Sequence, residues 1–285
     1  MFLQGRMISM SLVKNMQQTL KYIILSLAGL VILFPPYIIV VNAFKTKDKF
    51  NETSAISLPD SFFFFENFTK AFKQANIPLA FGNTLTIILV TLALNILLGS
   101  AFCYAISRFQ FKFQGAVLGL FLFATIIPQI TTQVVNYKTI MSLGLTNNLM
   151  GPVLLYVGAD IIQIYIYLQF IRNIPYELDE SAMIEGASLI RIYRSIIFPL
   201  LAPATVTIII LKTIAIYNDF FVPYLYLPRA EHVVVSTSLM RFFGNNSGDW
   251  QLISAAILII MIPTAVMYMF LQRYIFAGVT SGAVK

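Results

Sequence analysis

Acidic side chains are scarce in this sequence, yet they cluster in one short stretch. The chain of 285 residues contains only 12 Asp and Glu residues. Four of them fall within nine consecutive residues just before Gly186: Glu177, Asp179, Glu180 and Glu185. No Lys or Arg occurs from Tyr176 to Ile190, whereas a surface helix that binds anionic lipid has a basic polar face. The clustered carboxylates therefore predict a protein partner whose surface has a basic rim.

The same stretch predicts two short helices joined by a sharp turn. Carboxylates in the first turn of a helix are stabilised by the positive end of the helix dipole. Gly186 can adopt the positive φ that a turn between helices needs, and Ser188 can cap the helix that follows. The small side chains of Ser181, Ala182 and Ala187 allow another backbone to approach closely. We interpret the segment as a docking surface, with a solvated helical hairpin that binds nothing as the alternative.

Polar side chains within apolar runs form a second set of candidates. Asp160 and Lys212 interrupt stretches that are otherwise free of charge, and Tyr217, Asn218 and Asp219 follow in the fifth apolar run. Polar groups inside a membrane usually face a cavity or another helix, not lipid. The last three residues are therefore predicted to line a substrate pathway or, alternatively, to pack between helices or form a gate.

The sequence offers little for metal or acid–base chemistry. Cys103 and His232 are the only residues of their types, which excludes a site built from several cysteines or histidines. The dipeptide Gly-Lys is absent, so the chain lacks a phosphate-binding loop of the form G-x-x-x-x-G-K-[ST]. We expect no metal site, no catalytic residue and no cofactor, and a chain that is not an enzyme. Its net charge of +7 is spread over short loops, so we also expect no nucleic-acid partner.

Membrane helices must position these residues. The mean hydropathy is +0.80 and only 11% of residues are charged, against roughly 25% in a soluble domain. Backbone groups in lipid must bond within their own segment, and the period of two that a barrel strand needs is missing. The predicted fold class is all-α, a polytopic membrane protein with six transmembrane helices. We place them at about residues 22–44, 82–106, 116–138, 150–171, 202–227 and 250–272.

Two features are expected inside these helices. Pro128 removes a backbone donor from the third helix and should kink it beside Gln129, Thr131 and Thr132, which line a cavity or pack conventionally. Asp160 and Lys212 lie at similar depth, roughly 15 Å from opposite membrane surfaces at about 1.5 Å per residue. An isolated charge at that depth is costly, so we predict an ion pair, with separate exposure to the pathway or snorkelling as alternatives.

The acidic stretch carries a recognisable motif. Glu180, Ser181 and Ala182, then Glu185, Gly186 and Ala187, and finally Ile197 and Pro199 resemble the EAA loop of ATP-binding-cassette (ABC) import permeases. Ser181 replaces the usual second Ala, and Glu185 stands where Asp is commoner. The resemblance extends to MalG-like carbohydrate permeases through "IYNDFFVPYLYL" at residues 216–227 and "QRYIFAGVTSGAVK" at residues 272–285.

The resemblance implies a function and a set of partners. In that family the EAA loop is cytoplasmic and couples the permease to an ATPase subunit. It implies a second permease subunit, two ATPase subunits, an extracytoplasmic solute-binding protein and the lipid bilayer as partners. The expected substrate is a carbohydrate, most simply an oligosaccharide, and the expected location is a prokaryotic cell membrane.

The resemblance also implies an orientation and a division of the chain. The distribution of Lys and Arg favours a cytoplasmic N-terminus only weakly, whereas the family places both termini in the cytoplasm. We expect a cytoplasmic N-terminal segment at residues 1–21, a transmembrane permease domain at 22–272 with a coupling loop at 173–200, and a cytoplasmic tail at 273–285 that reaches the ATPase. The alternatives are an import permease for a non-sugar solute, an ion-coupled carrier or channel, and a membrane enzyme.

Overall fold

The computed structural model describes the backbone of residues 2–109, 111–158, 160–243 and 249–280, and their side chains except at 2–14, 129, 267 and 271–280. All regular structure in this part of the chain is helical, as predicted. By contact density the chain divides into two units. Unit 1 comprises the chain up to Gln74 together with Arg241–Met261, and unit 2 comprises Ala75–Met240 with the chain from Ile262 onward.

Unit 1 contains one long helix, two short ones and the first part of a second long helix. Its helices are α1 (Phe2–Ala43), α2 (Lys47–Glu52), α3 (Glu66–Gln74) and the first part of α15 (Trp250–Thr280). The loop after α1 is tied down by the buried Lys45, whose Nζ donates to Ser54 O at 2.8 Å and Ser57 Oγ at 3.0 Å. The Asn67 amide donates to the carbonyls of Ala43 and Lys45.

Unit 2 is built around one long central helix, α4 (Ile77–Arg108). Its other α-helices, besides the second part of α15, are α5 (Gln114–Ile126), α6 (Gln129–Ser142), α7 (Met150–Val157), α8 (Ile161–Arg172), α9 (Glu177–Ile184), α10 (Leu189–Ile192), α11 (Phe198–Leu200), α12 (Ala202–Asn218), α13 (Phe221–Tyr226) and α14 (Val235–Ser238), and a π-helical turn (Tyr193–Ile197) lies between α10 and α11. Helix α4 packs most extensively against α7, α8 and α12, and also contacts α14.

The number of membrane spans follows from length and composition. Three described helices are long and apolar enough to cross a membrane: Asn15–Ala43, Ile77–Arg108 and Trp250–Phe270. Three further pairs of helices pass the same test together, each bent by more than 40° at a short break. The described chain therefore has three candidate spans, or up to six if each bent pair is one span.

Three of the four predicted interior spans are interrupted, whereas the span at 82–106 lies within the continuous helix α4. Pro128 ends the third helix outright, because it has no N–H and forces Ile127 into an extended conformation, and α5 and α6 diverge by 106°. The prediction of one continuous helix at 150–171 is wrong, since α7 ends at Val157, Asp160 is extended, and α7 and α8 are bent by 50° relative to each other. The predicted helix at 202–227 ends at Asn218, because Asp219 is extended.

Helices extend into both terminal segments of the chain. Helix α1 already begins at Phe2, so most of the N-terminal segment predicted at 1–21 continues into the first span. Helix α15 runs to Thr280 and includes the first part of the tail predicted at 273–285. Residues 281–285 lie outside the described part of the chain.

Candidate functional site

The acidic loop, residues 173–200, has the helix–turn–helix conformation that the sequence predicted. Helix α9 ends in a Schellman motif: the amide of Gly186 donates to Met183 O at 3.0 Å, and that of Ala187 donates to Ala182 O at 2.9 Å. Gly186 has φ of +82°, the left-handed conformation expected for it. Ser188 Oγ accepts from the Arg191 amide at 3.4 Å and caps α10. The turn is thus specified by residues close together in sequence.

Helix α9 divides into an inner and an outer side. Of its eight residues only Asp179 and Ala182 are buried, and Ala182 packs in a core that includes Ile192 and Tyr104. The other acids of the loop are exposed, as are large apolar side chains. This outer face consists of Glu177, Glu180, Glu185, Ile184 and Ile190. Ile184 is 88% exposed and Ile190 is 78% exposed, which leaves apolar surface among carboxylates.

Two expectations for the loop are therefore corrected. Asp179 does not join the surface acids, because it is buried and its carboxylate lies 3.1 Å from Arg108 Nη2. Ala182 offers no small contact surface to a partner, because it packs inside the unit. Within the motif, Glu180, Ser181, Glu185 and Gly186 remain exposed, and Ala187 is half-buried. Ser181 Oγ donates to Glu177 O at 2.7 Å within the helix.

The structure brings Asp160 and Lys212 together. Lys212 Nζ lies 3.1 Å from Asp160 Oδ2, which is the pairing expected from their equal depth. Asp160 also accepts from the Gln163 amide at 2.8 Å through Oδ1, so that it caps the N-terminus of α8. One carboxylate thus starts the second half of a broken helix and binds a lysine from α12. The sequence suggested the pair but not the break, since a single Gly in an apolar run does not by itself interrupt a helix.

Buried amides from α4 and α8 support this break. Asn95, which is fully buried, donates through Nδ2 to Val157 O at 3.0 Å and Gly158 O at 3.2 Å. Gln163 Nε2 donates to Asn95 O at 3.0 Å. Gly99 makes room for that amide, because a Cβ there would collide with the Gln163 side chain. The carbonyls released where α7 ends are therefore satisfied by side chains of a neighbouring helix.

The predicted trio separates in the structure. Asp219 Oδ1 accepts from the amides of Phe221 and Val222 and starts α13, and its Oδ2 accepts from Tyr156 OH at 2.7 Å. Asn218 is exposed and donates to Ile214 O in its own helix. Tyr217 is half-buried, with its ring 6.4 Å from that of Phe81. Of the three residues, only Asp219 lies among the residues of the polar cavity described next.

A cavity of about 710 Å³ lies between α6, α7, α8, α12 and α13. Its polar lining consists of Thr132, Gln133, Asn136, Tyr156, Asp160, Gln163, Lys212 and Asp219. Of the three polar residues that follow Pro128, Thr132 lines this polar cavity. Thr131 Oγ1 donates to Pro128 O, and the side chain of Gln129 lies outside the described residues. Gln133, Asn136 and Tyr156 were missed because nothing in the sequence separates them from ordinary polar residues of a span.

Metal chemistry finds no support in the part of the chain that the structure describes. Among those residues no group of three or more His, Cys, Asp and Glu side chains is placed to hold a metal ion. The only cysteine, Cys103, is buried.

Comparisons with known proteins agree with this architecture. Residues 111–281 match the family described as "Binding-protein-dependent transport system inner membrane component". The chain belongs to this family. It is 33% identical over 253 residues to the melibiose/raffinose/stachyose import permease protein MelC of Bacillus subtilis (strain 168), covering 88% of this chain and 91% of the relative. It is 32% identical to the probable starch degradation products transport system permease protein AmyC of Thermoanaerobacterium thermosulfurigenes, with the same coverage.

A solved structure has the same fold. This permease resembles a chain in the crystal structure of a bacterial ABC transporter involved in the import of the acidic polysaccharide alginate, with a TM-score of 0.79. The match covers 91% of this chain and 96% of the other, at 17% sequence identity. At that identity the likeness establishes the fold. The membrane-component family and the apolar helices together make this chain an integral component of a membrane transport system.

Proposed function

We propose that this chain is a transmembrane permease subunit of an ABC importer that takes up an oligosaccharide delivered by an extracytoplasmic solute-binding protein. The observation that carries the proposal is the similarity, over 88% of the chain, to permeases named for the import of melibiose, raffinose and stachyose and of starch degradation products. Energy must come from a partner, because the sequence lacks a phosphate-binding loop.

The acidic loop is proposed as the docking surface for an ATPase subunit. Its outer face presents exposed carboxylates around Ile184 and Ile190, which fits a groove with an apolar floor and a basic rim. The coupling residues are proposed to be Glu180, Ser181, Ala182, Glu185, Gly186 and Ala187. The exposed ones act by contact, whereas Ala182 acts by holding α9 against the core. In this proposal the loop and both termini lie in the cytoplasm.

The polar cavity is proposed as this subunit's part of the sugar pathway. It offers donors and acceptors together, which suits a ligand whose many hydroxyl groups do both. Lys212 and Asp160 neutralise one another at 3.1 Å, so the pair presents hydrogen-bonding atoms without a large net charge. Broken helices beside a cavity are where transporters place their substrates. A second, homologous permease subunit is proposed to complete the pathway.

The test is uptake by the complete importer reconstituted in liposomes. Radiolabelled melibiose, raffinose and maltodextrin are compared with an amino acid and with inorganic phosphate. We expect uptake of at least one sugar, only with ATP inside the liposome and the cognate solute-binding protein outside. Uptake of phosphate or the amino acid alone would contradict the substrate class. Uptake driven by an ion gradient, without ATPase subunits, would contradict the transport mechanism.

A further inference from the structure

A buried charge cluster joins the acidic loop to the end of α4. Arg108 is the last residue of α4, and its Nη2 lies 3.1 Å from Asp179 Oδ2 and 3.0 Å from Ile174 O. Tyr104, one turn earlier in α4, donates its hydroxyl to Asp179 Oδ1 at 3.2 Å. The Arg108 guanidinium also lies 5.5 Å from the ring centroid of Tyr176. The side chain of Asp179 is 1% exposed and that of Arg108 is 9% exposed.

This cluster provides the main polar attachment of α9. The helix has eight residues, of which only Asp179 and Ala182 are buried. Its remaining side chains point outward, including the acids of the outer face. A buried ion pair is seldom more stabilising than a well-packed apolar pair of the same size, so stability alone does not explain it. What this ion pair adds is a fixed position for each partner, because Asp179 also accepts from Tyr104 and Arg108 also donates to Ile174 O.

Helix α4 leads from this cluster to the polar cavity. Asn95 lies on the same helix, roughly 20 Å from Arg108 at about 1.5 Å per residue. Its amide holds the carbonyls of Val157 and Gly158 where α7 ends, next to Asp160. A movement of α9 that is passed to Arg108 is therefore passed along one continuous helix to the break that borders the cavity.

We propose that Asp179, Arg108 and Tyr104 form a joint that makes α4 move with α9. Through α4, an ATPase bound at the outer face then moves the helix break that borders the polar cavity. The three are positioning residues, because the two charged ones are buried and the whole cluster lies on the inner side of α9. The inference rests on the proposed docking of an ATPase at the acidic loop. It gives Asp179, the buried acid of the loop, a role in transmitting movement within this subunit and not in contacting the partner.

The experiment compares Asp179→Asn with Glu180→Gln in the complete reconstituted importer. Both changes neutralise an acid of α9, but Glu180 is exposed and Asp179 is buried. Co-purification measures ATPase association, and the readout of coupling is sugar transported per ATP hydrolysed at equal amounts of assembled complex. For Asp179→Asn we expect unchanged association and a ratio of sugar to ATP that is lower by roughly 5-fold or more, because couplings between sites in a protein usually amount to at least about 5-fold. For Glu180→Gln we expect weakened association.

The outcomes separate this inference from the proposed function. A wild-type transport ratio for Asp179→Asn, with Glu180→Gln still weakening association, overturns the joint and leaves the docking surface standing. Equal loss of association in both variants also overturns it, because Asp179 would then be a partner contact. Unchanged association for Glu180→Gln and for other exposed acids of the outer face contradicts the docking surface itself.

A second variant covers the case in which Asp179→Asn fails to assemble. Arg108→Met with Asp179→Leu replaces the buried ion pair by apolar side chains of similar size, a change that usually preserves folding. We expect this double variant to assemble and to transport with a reduced ratio, because apolar contacts do not fix direction as hydrogen-bonded charges do. A wild-type ratio would overturn the joint, since the ion pair would then be dispensable for coupling.

Discussion

The acidic loop and the polar cavity differ in how far apart along the chain their hydrogen-bonded residues lie. The turn of the loop depends on bonds such as Ala187 N to Ala182 O, between residues five positions apart. The break beside the cavity depends on Asn95, which is 62 positions from the carbonyl of Val157 that it binds. The loop can therefore be read from a short stretch of sequence, whereas the cavity exists only when several helices are assembled.

This difference predicts different consequences of damage. A fault in the loop should leave the membrane helices assembled and affect the surface where a partner docks. A substitution of the amide side chains beside the cavity should lower the stability of the whole unit. Their hydrogen bonds connect helices that are otherwise apolar and satisfy carbonyls inside the membrane. The following predictions test that separation, beginning with the largest expected effect.

Asn95→Leu should be the most destabilising single change. The substitution leaves the carbonyls of Val157 and Gly158 without their donor, and each unsatisfied buried carbonyl costs about 1–3 kcal/mol. Thermal unfolding of the purified complex in detergent measures the effect. We expect the loss of stability to be several times larger than that caused by a change at an exposed position. Asn218→Leu is the control, because that exposed amide binds only its own helix. Equal stability of the two variants would show that the break does not need Asn95.

Gly186→Val should damage the loop alone. A residue with a Cβ at φ +82° costs roughly 1–2 kcal/mol, and a β-branched one costs more, although no atom lies close enough to collide with it. We expect normal membrane insertion and a loss of ATP-dependent uptake. The control is Gly119→Ala in α5, where space is also open and φ is helical, and transport should persist. Unfolding of the whole protein by Gly186→Val would contradict the separation of the two regions.

The Asp160–Lys212 pair should affect transport more than stability. The Asp160 side chain is 46% exposed, so solvent screens the pair and its coupling energy should be no more than about 1 kcal/mol in a double-mutant cycle. Asp160→Asn keeps the cap of α8 and should be milder than Asp160→Ala, which loses it. For both changes, and for Lys212→Met, we expect a raised half-saturating sugar concentration in uptake assays. Unchanged sugar dependence in all three variants would remove the pair from the pathway.

Tyr156→Phe should have the smallest effect on transport. It removes one hydrogen bond to the Asp219 carboxylate, worth about 1.5 kcal/mol of stability, and leaves the two backbone amides on Oδ1. Asp219→Ala removes all three bonds and should lower the thermal stability further. If Asp219→Ala lowers assembly but leaves the sugar dependence of the assembled transporter unchanged, Asp219 is a packing residue. The proposed pathway residues are then the other polar residues of the cavity.

The parts of the fold that could be predicted are those that depend on one stretch of chain. The length and apolar character of a run determine whether it can cross lipid, and a glycine after a helix with acids at its start predicts the turn at Gly186. Depth along the helices was enough to pair Asp160 with Lys212. The interruptions at Gly158 and Asp219 could not be predicted, because an extended residue inside a span is tolerated only when a distant side chain binds the freed carbonyls or a carboxylate caps the next helix.

The sequence by itself determined the membrane character, the helical class, the candidate coupling motif and the local turn that presents it. Tertiary structure alone decided which side of α9 faces inward. Four acids that look equivalent in the sequence separate into three exposed carboxylates and one, Asp179, that is buried against Arg108. Charge and spacing are properties of a segment, but burial depends on which helix packs beside it, and that is set by the end of α4, whose Arg108 lies 71 positions before Asp179.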